Sequence, residues 1–256
     1  MSSESSARLR EFTFRLHYEV GDDPVMDLFQ ENPDVSASAL DVCTGNGSYL
    51  RLLRLTGSAT VTNELQAMFE VHAHGPTSID SADCCGTCTS FPLETTAGRR
   101  SLYLFVEGDN DCETVQTVVC SRLGRGALSE VHYHDGVESW RILMPSDDRV
   151  GVLYDQISAA LREEVRFELG HIGDAIEWEG TGVLAADISG AQERALREAV
   201  RQGYYERPRG VTLDDLADDL DVPRSTLSYR LRMAEAELVK QYVGLTRGEE
   251  APAPPS

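Results

Sequence analysis

The chain has 256 residues, enough for one large domain or two small ones with a real core and no need of disulfides. It carries 43 Asp and Glu against 23 Lys and Arg, a formal net charge of −20, and its single lysine is Lys240. Such an acidic, lysine-poor surface stays hydrated and self-repelling under strong salt screening, and it excludes nucleic-acid binding through bulk charge, so binding must be sought segment by segment. No apolar run reaches transmembrane length and no signal-peptide pattern opens the chain, so a soluble, cytoplasmic protein without a membrane partner is expected. The six cysteines all lie between Cys43 and Cys120, and in a reducing cytosol they read as thiols, ligands or redox sensors rather than structural disulfides.

In chain order, residues 11–20 have strand-like content. Asp23-Pro24 then opens a short helix closed by Pro33. Residues 38–43 and 48–55 read as strands joined at Gly45-Asn46-Gly47, a hairpin signal. Thr62 to Phe69 reads as helix, and His74 to Pro92 as a Cys-rich loop. Strand signals follow at 101–106, 114–120, 129–133 and 138–144. Asp148 to Glu164 is amphipathic, with Val152, Leu153, Ile157, Ala160 and Leu161 at helical spacing, and 165–169 is a strand. The order predicts an α+β fold with a ferredoxin-like or ACT-like mixed domain over 1–185, one such unit or two.

From Ser189 the pattern becomes purely helical, over a segment 189–244. The Pro-rich stretch 245–256 reads as a disordered tail. Ser189 with Gln192 forms a capping box for the first helix, which runs through Leu196 and Val200. Thr212 with Asp215 caps the second, whose apolar face is Leu213, Leu216, Ala217 and Leu220. Asp221-Val222-Pro223 is the turn, with Pro223 opening a third helix that points Leu227, Leu231, Ala234 and Leu238 inward. Small Ala217 at a close crossing and apolar Val222 in the turn give helix-turn-helix spacing. Such a pair presents the first half of its last helix to the DNA major groove, here Arg224, Ser225, Ser228, Tyr229 and Arg232. The segment 189–244 holds 10 acids and 9 bases, so the acidity is concentrated elsewhere. The run Asp214, Asp215, Asp218, Asp219 and Asp221 sits awkwardly on a helix expected to cross the DNA backbone.

Gly203-Tyr204-Tyr205, Thr212, Pro223, Thr226-Leu227 and Leu231-Arg232-Met233-Ala234-Glu235 together resemble the C-terminal helix-turn-helix of the bacterio-opsin-activator family of haloarchaeal regulators. The resemblance covers about a fifth of the chain. It implies a sequence-specific transcription regulator that binds double-stranded DNA, is not an enzyme and is halophilic. Readers of this kind usually bind as dimers, so a homodimer through the N-terminal sheet is expected.

Two other patterns compete. Cys84, Cys85 and Cys88, with His72 and His74, suit zinc or another soft metal, or a thiol switch. Cys112, Cys120, His132 and His134 stand further along, and His132 and His134 fall on one face of a strand. Leu40 to Gly47 resembles the Gly-rich loop of S-adenosylmethionine-dependent methyltransferases, but it leads into no helix, so the hairpin is preferred. The alternatives to a regulator are therefore a small-molecule or metal-binding module whose last helices contact protein, or that methyltransferase. No catalytic constellation stands out.

Overall fold

The computed structural model describes residues 9–71, 75–79, 87–96, 98–107, 113–175 and 188–242. The chain divides into two compact units, Met1–Val183 and Leu184–Ser256. The first unit runs β1 (Arg10–His17), α1 (Pro24–Glu31), β2 (Ser36–Gly45), β3 (Ser48–Thr56), α2 (Ala59–Val71) and β4 (Cys88–Thr95). It continues through β5 (Arg99–Val106), α3 (Val115–Leu123), β6 (Leu128–His134), β7 (Val137–Met144), α4 (Val150–Ala160) and β8 (Arg166–Asp174). All eight strands form one sheet in the order β4-β5-β3-β2-β6-β7-β1-β8, every described pairing antiparallel.

That order contains two ferredoxin-like units with exchanged opening strands. Each half of the unit reads β-α-β-β-α-β along the chain. In a ferredoxin-like sheet the first strand lies between the third and fourth of its own set. Here β1 lies between β7 and β8, and β5 lies between β4 and β3. Each half therefore lends its first strand to the other. The helices follow: α1 packs on β6, and α3 packs on β2 and β3. The arrangement has an approximate twofold axis between the antiparallel neighbours β2 and β6.

Local chemistry explains the elements. Asp23 caps α1, its Oδ1 accepting from the backbone of Val25 and Met26, while its Oδ2 accepts from Thr77 N at 2.9 Å. Pro24 follows at the first helical position, where no N–H is needed. Asp135-Gly136, with φ of 48° and 71°, makes the two-residue β6–β7 hairpin turn that such angles favour. Gly45-Asn46-Gly47 is the β2–β3 hairpin turn, which leaves the methyltransferase loop no helix to open. In β3, Tyr49, Arg51, Leu53 and Leu55 alternate inward.

The four helices cover one sheet face and enclose the core, which includes Phe12, Phe14, Phe29, Phe69, Leu153 and Ile157. Within it, Arg51 and Asp41 face each other across β2 and β3, fully buried and bidentate at 2.7 Å. Glu138 is buried too, its carboxylate accepting from Tyr18 Oη at 3.0 Å and from Trp140 Nε1 at 2.9 Å. Burial pushes its pKa up to about 7 against those two hydrogen bonds.

Several expectations are corrected. Residues 114–120 are not a strand: Thr114 caps helix α3 with a capping box, and Val115–Cys120 are all buried. A helix buried all round shows no 3.6-residue period, so its β-branched run misleads. The expected Cys-rich loop contains strand β4, an edge strand, which is where Pro92 is tolerated. Val152 is exposed on α4. The cysteines are not all thiols: Cys43 of β2 and Cys120 of α3 form a buried disulfide, with Gln116 Nε2 donating to Cys120 Sγ at 3.3 Å. No described helix is long and apolar enough to cross a membrane.

Candidate nucleic-acid interface

The second unit contains α5 (Gly190–Arg201), α6 (Leu213–Asp219) and α7 (Arg224–Tyr242). Ser189 and Gln192 close a capping box on α5: Ser189 N donates to Gln192 Oε1 at 2.7 Å, and Gln192 N to Ser189 Oγ at 3.3 Å. Thr212 and Asp215 do the same for α6. Ala195 and Ala199 of α5, Leu216 and Ala217 of α6, and Leu227 and Leu231 of α7 form one small core. Ala217, at 3% exposure, is the small residue that lets α6 and α7 approach. Leu238, expected to point inward, is instead exposed, because α7 runs beyond the core, and Val200 is exposed because the core closes on the alanines of α5. Pro223 does not lie inside the helix; its carbonyl accepts from Leu227 N at 3.0 Å, which makes it the cap.

The turn is built on backbone bonds. Val222 N donates to the carbonyl of Ala217 and Asp221 N to that of Asp218. Asp221 adopts the left-handed region at φ 51°, where a short polar side chain is tolerated better than a branched one. The connection before α6 is held from both sides. Gly210 N donates to the carbonyl of Gly203 at 2.9 Å, and a side chain at Gly210 would meet the carbonyl of Gln202. The Tyr205 hydroxyl donates to Glu235 Oε1 at 2.6 Å, tying this connection to α7, and Arg209 lies over the Tyr204 ring. Sequence reasoning missed these anchors; the adjacent tyrosines were their only signal.

All five residues chosen for DNA contact, Arg224, Ser225, Ser228, Tyr229 and Arg232, are exposed on the first half of α7. The opposite face of the same turns carries buried Leu227 and Leu231. The helix therefore shows water a surface of guanidinium, hydroxyl and phenol groups, which bond phosphate oxygens and base edges.

Three aspartates of α6, Asp214, Asp215 and Asp219, have side-chain partners. Asp214 pairs with Arg224 Nε at 2.8 Å. Asp215 caps its own helix, and the bonds from Thr212 hold its carboxyl below the usual range. Asp219 accepts from Gln202 Nε2 at 2.7 Å. The acids are thus largely engaged in local structure.

Residues 188–240 match the HTH_10 family, described as an HTH DNA binding domain. Residues 11–178 match the family HVO_2928_N, described as N-terminal. The chain belongs to the HVO_2928_N family. Its last part is a bacterio-opsin-activator-type helix-turn-helix domain of the haloarchaeal regulators. A dimethyl sulfoxide reductase transcriptional activator of Haloferax volcanii is 38% identical over 66 residues, 26% of this chain and 31% of that protein. One of the same name from Halobacterium salinarum is 41% identical over 51 residues, 20% of this chain and 23% of that one. A putative transcriptional regulator of Haloferax volcanii is 36% identical over 59 residues, 23% of this chain and 10% of its own length. The chain thus spans less than a third of the length of these curated relatives.

Of the expected metal residues, His72, His74, Cys84 and Cys85 lie outside the described residues, as does Cys112. Cys88 is a half-buried free thiol on β4, its pKa raised by burial. His132 and His134 do share a face of β6, and His132 pairs with Glu130. Among the described residues no group of three or more His, Cys, Asp and Glu is placed to hold a metal.

Proposed function

We propose that this chain is a sequence-specific DNA-binding transcription regulator, with residues 189–244 reading double-stranded DNA and residues 1–185 acting as its sensory part. The observation that carries the reading is the polar, exposed first half of α7, set by a capped α6 and a buried alanine crossing. In this reading α7 enters the major groove. Arg232, Ser228 and Tyr229 reach base edges, while Arg224 and Ser225, at the helix start, reach phosphate. Binding DNA exchanges the Arg224–Asp214 pair for an Arg224–phosphate pair.

The test is fluorescence anisotropy with DNA upstream of the protein's own gene, in concentrated KCl. Arg232→Ala should weaken the preferred site by about 1–3 kcal/mol and relax its specificity. Arg224→Ala should weaken all sequences alike and lower the salt slope by about one. Asp214→Asn, which frees Arg224, should tighten binding by about 0.5 kcal/mol. A folded protein without sequence-selective binding would sink the reading.

For the sensory part we propose a soft-metal or thiol switch at Cys88 with Cys84, Cys85, His72 and His74. The free thiol of Cys88, on an edge strand, is what supports it. Zinc titration of the reduced protein, with DNA affinity measured before and after oxidant, tests it. No zinc bound and no change in affinity would dispose of the switch.

A further inference from the structure

Among the described residues of the first unit, helices pack on one face of the sheet only, and the other face is not a polar, solvated one. Leu40, Val42, Leu50, Leu52, Tyr103 and Phe105 lie there as cross-strand neighbours on β2, β3 and β5, each half-buried although no described helix of this unit packs over them. Phe91 of edge strand β4 extends the patch by its ring contact with Tyr103, and Leu143 extends it on β7 at 7% exposure without joining the helix-covered core.

The charges on this face are as distinctive as its apolar residues. Residues 1–183 hold 30 acids and 13 arginines. Five of those arginines, Arg15, Arg54, Arg99, Arg141 and Arg166, stand on the open face, against four strand acids, Glu11, Glu94, Glu130 and Glu168. They pair among themselves: Arg15 with Glu168 at 3.1 Å, Arg141 with Glu11 at 2.8 Å and Arg99 with Glu94 at 2.9 Å. The face is therefore close to neutral on a strongly acidic unit.

We propose that this open face is the interface for a second copy of the chain, giving a homodimer by sheet-on-sheet packing. Three arguments select that occupant. Eight strands at about 4.8 Å spacing and about eight residues of about 3.3 Å each present roughly 1,000 Å², which clears the roughly 800 Å² per partner of a stable interface. A half-exposed apolar patch with paired charges around it is the composition of such an interface. Above all, two copies of so acidic a protein repel wherever carboxylates dominate, and this face is where they meet without that repulsion. A basic partner would be drawn to the acid-rich surfaces instead. An open pocket of about 430 Å³, lined by Arg15, His132, Ser139 and Arg141 among others, lies on the same face, so the dimer would enclose it. The inference rests on the regulator reading only in supplying the two recognition helices that paired half-sites need.

The test is sedimentation velocity of the full chain in concentrated KCl, with Leu52→Glu and, separately, Arg54→Glu. Circular dichroism and melting confirm that each variant folds. The expected result is a wild-type dimer whose dissociation constant rises by about tenfold or more in each variant, since each adds a carboxylate to the near-neutral face on which two acidic copies meet. Arg54→Glu, which leaves the apolar patch intact, decides the matter if Leu52→Glu fails to fold. A wild-type monomer at micromolar concentration, or a dimer indifferent to the folded variants, would overturn the proposal. A wild-type dimer that loses stability in the variants but binds no DNA would leave the interface standing and remove the regulator reading.

Discussion

At the residue scale, the buried ionic groups of the first unit carry the sharpest consequences. Arg51 and Asp41 satisfy each other out of water, so removing one leaves an uncompensated charge. Arg51→Met should cost about 3–5 kcal/mol in urea unfolding, whereas Arg51→Met with Asp41→Leu should recover most of it. Glu138 gives a pH signature. Its folded pKa lies near 7, above the ordinary 4.5, so the folded state holds the proton more tightly. The stability this contributes is fully present below about pH 4.5 and is lost as pH rises to about 7. Glu138→Gln can still accept from Trp140 and donate to Tyr18, so it should flatten that fall, read as melting temperatures across the window. Arg51 was legible in part: in the run SYLRLLRL it keeps the phase of Tyr49, Leu53 and Leu55. What the alternation could not name was its partner, because Asp41 meets it only through the register of β2 on β3.

At the element scale, capping chemistry was readable and burial was not. The Ser189–Gln192 and Thr212–Asp215 boxes stand where their spacing put them, since a cap depends on residues three apart. Helix α3 was misread because its neighbours bury it and erase its period. The last helix was legible as an inward set, Leu227, Leu231 and Ala234, but Leu238 was not, since nothing local marks where a partner helix ends. The turn makes its own prediction. Asp221 sits at φ 51°, so Asp221→Val should cost about 1–2 kcal/mol in thermal unfolding, while Asp221→Gly should stay within about 1 kcal/mol of wild type.

At the scale of the whole molecule, exchanged strands and a long-range disulfide tie the first unit together. The Cys43–Cys120 link closes a loop of 77 residues, so replacing both with Ala should lower stability by about 4 kcal/mol, and a dithiol reductant should do the same to wild type but not to the double variant. Equal melting with and without reductant in wild type would remove the disulfide from any role in stability. The sequence by itself determined the starts of α1, α5 and α6, most strands, the helix-turn-helix and its outward face, because each depends on periodicity or on residues a few positions apart. It also determined the net acidity and its concentration outside the last helices, where acids and bases nearly balance. Only the tertiary structure decided that β1 and β5 change places, that Cys120 finds Cys43, that Asp214 engages Arg224, and that the described helices of the first unit all cover the same sheet face. Those pairings join residues far apart in the chain or in separate elements, and a strand's own pattern says which face is apolar but not which neighbour will cover it.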